Sequence, residues 1–430
     1  MAVQQSSTVA VDAILQAYLE RNVANIVDLE APVSKKIMGV MKEVRVNQKG
    51  REKAVLGDVR TTIKAGASSM EYPQGVGYIR TRLKSMAVDQ VVTYEIDRAT
   101  YEDYSNKRAE TLTTIAEELD LLMRGFAQRR EFFLAGDGSG KLGTVGTGSS
   151  TTVVVMDTTP NGTPAKAYGV SQLKPGVPYD LYSSADARTD SSVLITEGGI
   201  DYTNNTVTMT AALSGAPAAG AYFVPADSWR QFPVPGFAYL FAGGKTGYWE
   251  GTLVTNQFQY QTPYVNAGGN EISNYYIERL LQKQALRTGK GVNATFKIFA
   301  SPSVISIYKT PGWNMFRFAA KDDTYNTAFK NARYEDSIFE PFPQCDPDAM
   351  YGVDLSDMVH VVQTDIGPFK GADGMLFRQQ QGTNQRGKGS FYLNFGCSDN
   401  FTIDQPQLHV VARNFDVTNA ATIYNFYSTT

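Results

Sequence analysis

A glycine-rich segment is the first place where this sequence could carry out chemistry. Residues 135–150 read AGDGSGKLGTVGTGSS, and the GSGK within them resembles sequences that bind nucleotide phosphates. The phosphate-binding pattern fails because Ala135 replaces its first glycine, Leu142 replaces the Ser or Thr after Lys141, and a helical pattern precedes it. We therefore interpret the segment as an exit loop, in which glycine allows a helix to end and the chain to reverse.

Histidine and cysteine offer little further chemistry. His360 and His409 are the two histidines, and each lies in a strand-like alternation. Cys345 and Cys397 are 52 positions apart and form no CxxC pair. No HExxH, GxSxG or SxxK context is present, so we expect no catalytic residue, no cofactor and no metal. A β-rich glycan-active enzyme stays an alternative, because two carboxylates distant in sequence are enough for that reaction.

Composition limits the class of protein. The chain has 430 residues, 42% of them hydrophobic, which is enough for two or three folded lobes. Its net charge of −3 argues against binding nucleic acid through overall charge. We expect no membrane association, because no apolar run approaches the roughly 18 residues of a membrane helix. Asp12 interrupts the one apolar stretch near the N-terminus, so we expect no export signal. The two cysteines suggest neither a zinc site nor a disulfide framework, so we expect a reducing cytoplasm.

A basic segment precedes the central part of the chain. Residues 42–84 contain ten Lys or Arg and four Asp or Glu, a charge of +6. Residues 44–47 and 78–83 alternate in the manner of strands, and residues 65–77 between them read AGASSMEYPQGVG. The pattern predicts a long basic hairpin that needs a partner surface, because an isolated hairpin is marginally stable. A solvated edge hairpin is the alternative.

A long helix is predicted over residues 100–134. Its apolar residues are spaced three and four apart, at Leu112, Ile115, Leu119, Leu122 and Phe126. Thr100 is the expected start, and Gly136 stands where a C-terminal cap is required. Such a helix would be about 50 Å long. A coiled coil is the rival interpretation, but the heptad pattern is too short to support it.

The remaining segments are shorter. An amphipathic helix containing Val11 and Leu19 precedes a connector with Pro32, and it is either an extended arm or a helix on its own core. Four strands are predicted within residues 145–231, at 151–156, 193–196, 206–210 and 221–224, as an inserted β module or a continuation of the main sheet. A helix over 274–288, a strand over 294–300, a helix from Pro302 and late strands complete the chain.

Two stretches carry a resemblance to a known family. They are ATYEDYSNKRAETLTTIAEELDLLMRGFAQRREFFLAGDGSGKLGTVG and ISNYYIERLLQKQALRTGKGVNATFKIFASPSVISIY. Together with the order of the segments, they resemble major capsid proteins of tailed bacteriophages, which have the Hong Kong 97-type fold. The resemblance implies an α+β fold with an extended loop, a peripheral domain with a long spine helix, an axial domain and an inserted all-β module.

The same resemblance implies a division of the chain. The expected parts are an N-terminal arm (1–41), an extended hairpin loop (42–96), the spine helix with its exit turn (97–144), the inserted β module (145–231), peripheral strands and loops (232–272), the axial domain (273–390) and C-terminal strands returning to the core (391–430).

The function implied by the resemblance is structural. Copies of the chain would assemble as pentamers and hexamers into an icosahedral shell around the double-stranded DNA of a phage, without sequence-specific DNA binding. A separate scaffolding protein, a portal protein and a decoration protein are the expected partners. The expected contacts between subunits are Arg60, Lys64, Arg80, Arg82 and Lys84 of the extended loop. A tail tube or sheath protein is the nearest alternative.

Overall fold

The computed structural model of the protein describes residues 31–47, 50–58, 79–85, 87–106, 109–157, 169–226, 236–241, 262–288, 295–308, 333–334, 337–369, 376–381 and 387–416. Helices and strands both contribute, so the fold is α+β, as predicted. The chain divides into two compact units. The first comprises Met1–Gly50, Met86–Phe132 and His360–Asn400, and the second comprises Arg51–Ser85, Phe133–Val359 and Phe401–Thr430.

The helices are α1 (Pro32–Met38), α2 (Arg98–Ser105), α3 (Ala109–Ala135), α4 (Phe237–Leu240), α5 (Asn274–Thr288) and α6 (302–308). The strands are β1 (Lys42–Arg45), β2 (Arg51–Asp58), β3 (Ile79–Ser85), β4 (Val88–Asp97), β5 (Gly143–Thr144), β6 (Val153–Val155), β7 (Tyr179–Tyr182), β8 (Arg188–Val193), β9 (Ile195–Asp201), β10 (Thr206–Met209), β11 (Tyr222–Pro225), β12 (Tyr264–Asn270), β13 (Phe296–Ala300), β14 (Arg333–Tyr334), β15 (Ser337–Pro341), β16 (Met350–Asp354), β17 (Met358–Phe369), β18 (Arg378–Gln381), β19 (Gly387–Ile403) and β20 (Val410–Phe415).

The first unit is a helix packed on a sheet. Its strand order is β1-β17-β19-β18, with β4 also paired to β19. The apolar side of α3 buries Ile115, Leu119 and Met123, and Leu393 and Phe395 of β19 belong to the same core. Leu122 and Phe126 pack against this core at its border. The three-and-four spacing of apolar residues therefore predicts the buried side of α3 correctly.

The predicted helix over 100–134 is two helices, α2 and α3. The carboxylate of Asp97 accepts a hydrogen bond from the backbone N–H of Thr100 at 2.7 Å, so the N-cap lies three residues before the predicted start. Asn106 is the C-cap of α2. At 27 residues, α3 is about 40 Å long rather than about 50 Å. It ends at Ala135, and Gly136 follows it as predicted.

A short helix occupies the predicted connector around Pro32. Pro32 stands in the first turn of α1, where its missing N–H costs nothing. The buried carboxylate of Glu131 in α3 accepts hydrogen bonds from the backbone N–H groups of Val33 (3.0 Å) and Ser34 (3.1 Å) and from the Ser34 hydroxyl (2.6 Å). Burial raises the pKa of Glu131 in spite of these bonds. The amphipathic helix predicted around Val11 and Leu19 lies outside the described residues.

The described residues between 143 and 225 form two small antiparallel sheets, with orders β5-β11-β7-β8 and β6-β10-β9. Strands β6 and β10 lie within the predicted ranges and β11 ends one residue beyond its range, whereas β7 and β8 were not predicted. The turn at Asn204-Asn205 joins β9 to β10, and Asn205 has a positive φ of 51°. Asparagine tolerates this left-handed conformation, and Asp201 also accepts the backbone N–H of Thr203 at 2.8 Å.

The second unit also contains a six-stranded mixed sheet of order β12-β20-β16-β13-β15-β14. Helix α5 has its predicted bounds and buries Ile277 and Leu280 in the core of this sheet. A Cβ on Gly352 in β16 would lie 2.5 Å from Phe296 and 3.1 Å from Leu280, so a glycine is required there. Ser301 caps α6 by accepting the Val304 N–H at 3.2 Å.

Candidate functional site

The basic hairpin consists of β2 and β3. These antiparallel strands pair from Arg51–Ser85 at the root to Leu56–Arg80, with an irregularity before Asp58. The sequence pattern had instead assigned residues 44–47 as the partner of β3, and that assignment is wrong. Strand β1 pairs with β17 in the first unit, and the N–H of Val46 donates to the carbonyl of Val362 at 2.8 Å. The alternation of 44–47 reflects a strand in a larger sheet.

The predicted subunit contacts fall partly on this hairpin. Arg80, Arg82 and Lys84 occupy alternate positions of β3. Arg60 and Lys64 lie outside the described residues. The role of all five in contacts between subunits stays a prediction.

Both strands of the hairpin are held at the root by the segment that ends β19. The guanidinium of Arg51 donates to both carboxylate oxygens of Asp404, at 2.8 and 3.0 Å. The hydroxyl of Ser85, which is paired with Arg51 across the ribbon, bonds to that of Thr402 at 3.2 Å. The side chains of Arg51 and Asp404 are only 16% and 21% exposed. A bidentate, mostly buried pair of this kind fixes geometry better than a surface ion pair.

A second set of hydrogen bonds fixes the segment around Asp404. One carboxylate oxygen of Asp357 accepts from the backbone N–H groups of Asp404 (3.1 Å) and Gln405 (2.7 Å) and lies 3.1 Å from Nε2 of His409. Nδ1 of His409 accepts the backbone N–H of Asp354 at 3.2 Å. Because Nδ1 is an acceptor, the proton is on Nε2 and the fully buried ring is neutral. These bonds connect the hairpin root to the core of the second unit.

The other histidine belongs to a buried ionic cluster in the first unit. The carboxylate of Asp399 pairs with the guanidinium of Arg130 and lies 2.6 Å from Nε2 of His360. It also accepts from the side-chain amide of Gln90 at 2.9 Å and the thiol of Cys397 at 3.4 Å. Burial alone would raise the pKa of Asp399, but the charge of Arg130 and the bond from His360 lower it below its ordinary value.

The cysteines are not placed as nucleophiles. Cys345 and Cys397 are buried free thiols. Burial raises the pKa of both, so each is held as the thiol and not as the reactive thiolate. Within the described part of the chain, no group of three or more His, Cys, Asp or Glu side chains could hold a metal ion.

The glycine-rich loop after α3 has a local structural role. The carboxylate of Asp137 accepts the backbone N–H of Ser139 at 2.9 Å, which closes a tight turn. Nζ of Lys141 lies 4.5 Å from the ring centroid of Tyr222 in β11, so this lysine already has a cation–π partner. The loop follows a helix, and this agrees with the exit-loop interpretation. Among the described helices, none has the length and apolar character to cross a membrane.

Comparisons with known proteins give similar structures only. No protein-family model matches the sequence, and no curated protein matches it. The capsid asymmetric unit of cyanophage A-1(L) is similar at 9% identity and a TM-score of 0.49, over 88% of this chain and 92% of that one. The mature capsid of bacteriophage PhiM1 is similar at 9% identity and a TM-score of 0.39, over 88% of this chain and 86% of that one. The procapsid of satellite phage P4 with its size determination protein is similar at 8% identity and a TM-score of 0.37, over 92% of this chain and 90% of that one.

These structures are phage capsids, the class that the sequence resemblance predicted. In the described part of the chain, the hairpin of β2 and β3 is followed by the long helix α3, the strands β5 to β11, helix α5 with strand β13, and the late strands β16 to β20. The division of the chain into domains, including the inserted β module, stays a prediction.

Proposed function

We propose that this chain is a major capsid protein, which self-assembles as pentamers and hexamers into the icosahedral shell of a tailed phage. The observation that carries the proposal is the basic hairpin and its fixed root. Among the described strands, β2 and β3 pair only with each other. Because a two-stranded ribbon is marginally stable alone, it gains most by lying on another surface.

The distribution of charge supports a second copy of the chain as the surface on which the ribbon lies. Residues 51–85, the two strands and the tip between them, contain seven basic and three acidic residues, a charge of +4 in a chain of net charge −3, so the remainder of the chain is net negative. A basic ribbon on one copy and a negative surface on the next are complementary, and such charges set register and partner choice. Repetition of one such contact with a fixed rotation closes a ring, and rings of five and six build a closed shell.

The other expected partners follow from this assignment and belong to the same proposal. The shell would enclose double-stranded DNA without reading its sequence, and a strongly basic wall would hinder packaging by binding the polymer tightly. Scaffolding, portal and decoration proteins would contact the shell. Assembly would take place in the cytoplasm of the bacterial host, and the finished protein would reside in the virion. We assign no reaction to the chain.

Reversal of charge in the hairpin is the first test. We expect a variant with Arg60, Lys64, Arg80 and Arg82 all replaced by Glu to form no closed shells, because attraction to the neighbouring copy becomes repulsion. Electron microscopy of the protein, expressed with and without the neighbouring scaffold gene product, measures the shells. Circular dichroism and thermal unfolding check that the unassembled variant is folded.

A charge-conserving variant is the matched control. With Arg60, Arg80 and Arg82 replaced by Lys and Lys64 replaced by Arg, the charge is unchanged and shells should form normally. Normal shells from the Glu variant would contradict the proposed role of the hairpin. Rods instead of closed shells from the wild-type protein would indicate a tail tube or sheath protein.

A further inference from the structure

The root of the hairpin is fixed at two points, one on each strand. Arg51 ends one strand and binds Asp404, and Ser85 ends the other strand and binds Thr402. Thr402 and Asp404 are two residues apart, so one short segment receives both strands of the ribbon. A single contact would leave the ribbon free to rotate about it, whereas two contacts on paired strands remove that freedom.

The receiving segment is itself held from the core. The carboxylate of Asp357 accepts the backbone N–H groups of Asp404 and Gln405. The fully buried ring of His409 contacts the same carboxylate, and its other nitrogen accepts the N–H of Asp354 at the end of β16. The contacts form an unbroken series from the central sheet of the second unit to the first pair of the ribbon.

We propose that Arg51 and Asp404, supported by Asp357, are positioning residues that set the direction of the hairpin for contact with a second copy of this chain. The inference rests on the proposed function and adds the residues that orient its assembly element. Arg51 is basic, but its charge is already matched by Asp404 within the same copy. It therefore acts through the orientation of the ribbon, and the charges farther along the ribbon make the contact with the neighbour.

A charge-swap cycle tests the inference. The variants are Arg51→Asp, Asp404→Arg and the double variant with both changes. We expect at least a tenfold loss of closed shells in each single variant, because two like charges then face each other at the root. The double variant should recover most of the shells, because the ion pair is restored with opposite polarity. Exchanging Arg45 and Asp365 in the same way, at an exposed ion pair of the first unit, is the control and should leave shells unchanged.

Amide hydrogen exchange on the unassembled protein separates positioning from general stability. Exchange should become faster in β2 and β3 of the single variants and stay unchanged in β13 and β16 of the central sheet. Arg51→Lys is a milder variant in case the reversals do not fold. It keeps the charge but loses the bidentate geometry, and it should give an intermediate yield of shells with faster exchange confined to β2 and β3.

The outcomes distinguish this inference from the proposed function. Normal shells from the single variants and from Arg51→Lys would overturn the positioning role and leave the capsid function standing. If the wild-type protein forms no shells under any condition, the proposed function fails. Hydrogen exchange then tests the positioning role separately, because unchanged exchange in β2 and β3 of Arg51→Asp would also overturn that role.

Discussion

Each of the two compact units places a histidine against a buried aspartate, but the units compensate the carboxylate differently. In the first unit, Asp399 pairs with the buried guanidinium of Arg130 and with His360. In the second unit, Asp357 accepts from two backbone N–H groups and from neutral His409. The first cluster therefore relies on a full positive charge, and the second relies on neutral donors.

The difference shows how two similar aspartate–histidine pairs can have different structural roles. A buried ion pair costs much to break, because the remaining charge has no water to stabilise it. A carboxylate held by N–H groups instead fixes the backbone that supplies them, which at Asp357 is the segment leading to the hairpin root. We expect the first cluster to matter mainly for the stability of its unit and the second mainly for local geometry.

The largest expected effect is that of Asp399→Asn. The variant loses the charge that compensates Arg130, whose side chain is 4% exposed, so the free energy of unfolding should fall by about 3–5 kcal/mol. Chemical denaturation of the unassembled protein measures this change. Asp365→Asn, at an aspartate 64% exposed, is the control and should behave like the wild type. A loss no greater than that of the control would show that Arg130 is stabilised by other groups.

A smaller loss of stability is expected for Asp357→Asn. The amide retains one oxygen that can accept a hydrogen bond, and its neighbours are neutral, so the free energy of unfolding should fall by about 1–3 kcal/mol. Denaturation curves of the two variants, recorded side by side, compare the two regions directly. The distinction between charged and neutral compensation is refuted if this variant loses as much as Asp399→Asn.

The smallest expected effect is the pH dependence at Asp399. Its pKa in the folded protein is lowered, so the ionised carboxylate contributes stability that is complete above its ordinary value of about 3.9 and is lost as the pH falls through the lowered folded value. The difference in unfolding free energy between wild type and Asp399→Asn should therefore shrink below about pH 4. Denaturation between pH 3 and 7 measures it, and a difference that grows toward acid would contradict the sign of the shift.

Elements governed by local patterns could be predicted from the sequence. Helix α5, the end of α3 before Gly136 and the start of α6 at Pro302 all follow from apolar spacing and capping residues. The break after Asn106 was missed because no proline or glycine marks it. The partner of β3 was missed because β2 reads REKAVLGD, whose charges and glycine obscure a strand.

The contacts of the candidate site could not be predicted in the same way. Arg51 and Asp404 are 353 positions apart, and His409 and Asp357 are 52 positions apart. No spacing motif covers such distances, because Asp404, Asp357 and His409 lie in connecting segments that meet their partners only in the tertiary structure. The basic character of β3 was visible in composition, whereas the ion pair that fixes its root was not.

The bidentate pair at the root has a consequence for tolerance to angular error. Strand β3 has seven residues and is about 23 Å long, so a rotation of about 5° at its root would move its far end by about 2 Å. Hydrogen bonds and ion pairs at that end would not survive such a displacement. A small rotation at the root thus becomes a large displacement at the far end of the ribbon, and the two carboxylate oxygens of Asp404 limit that rotation.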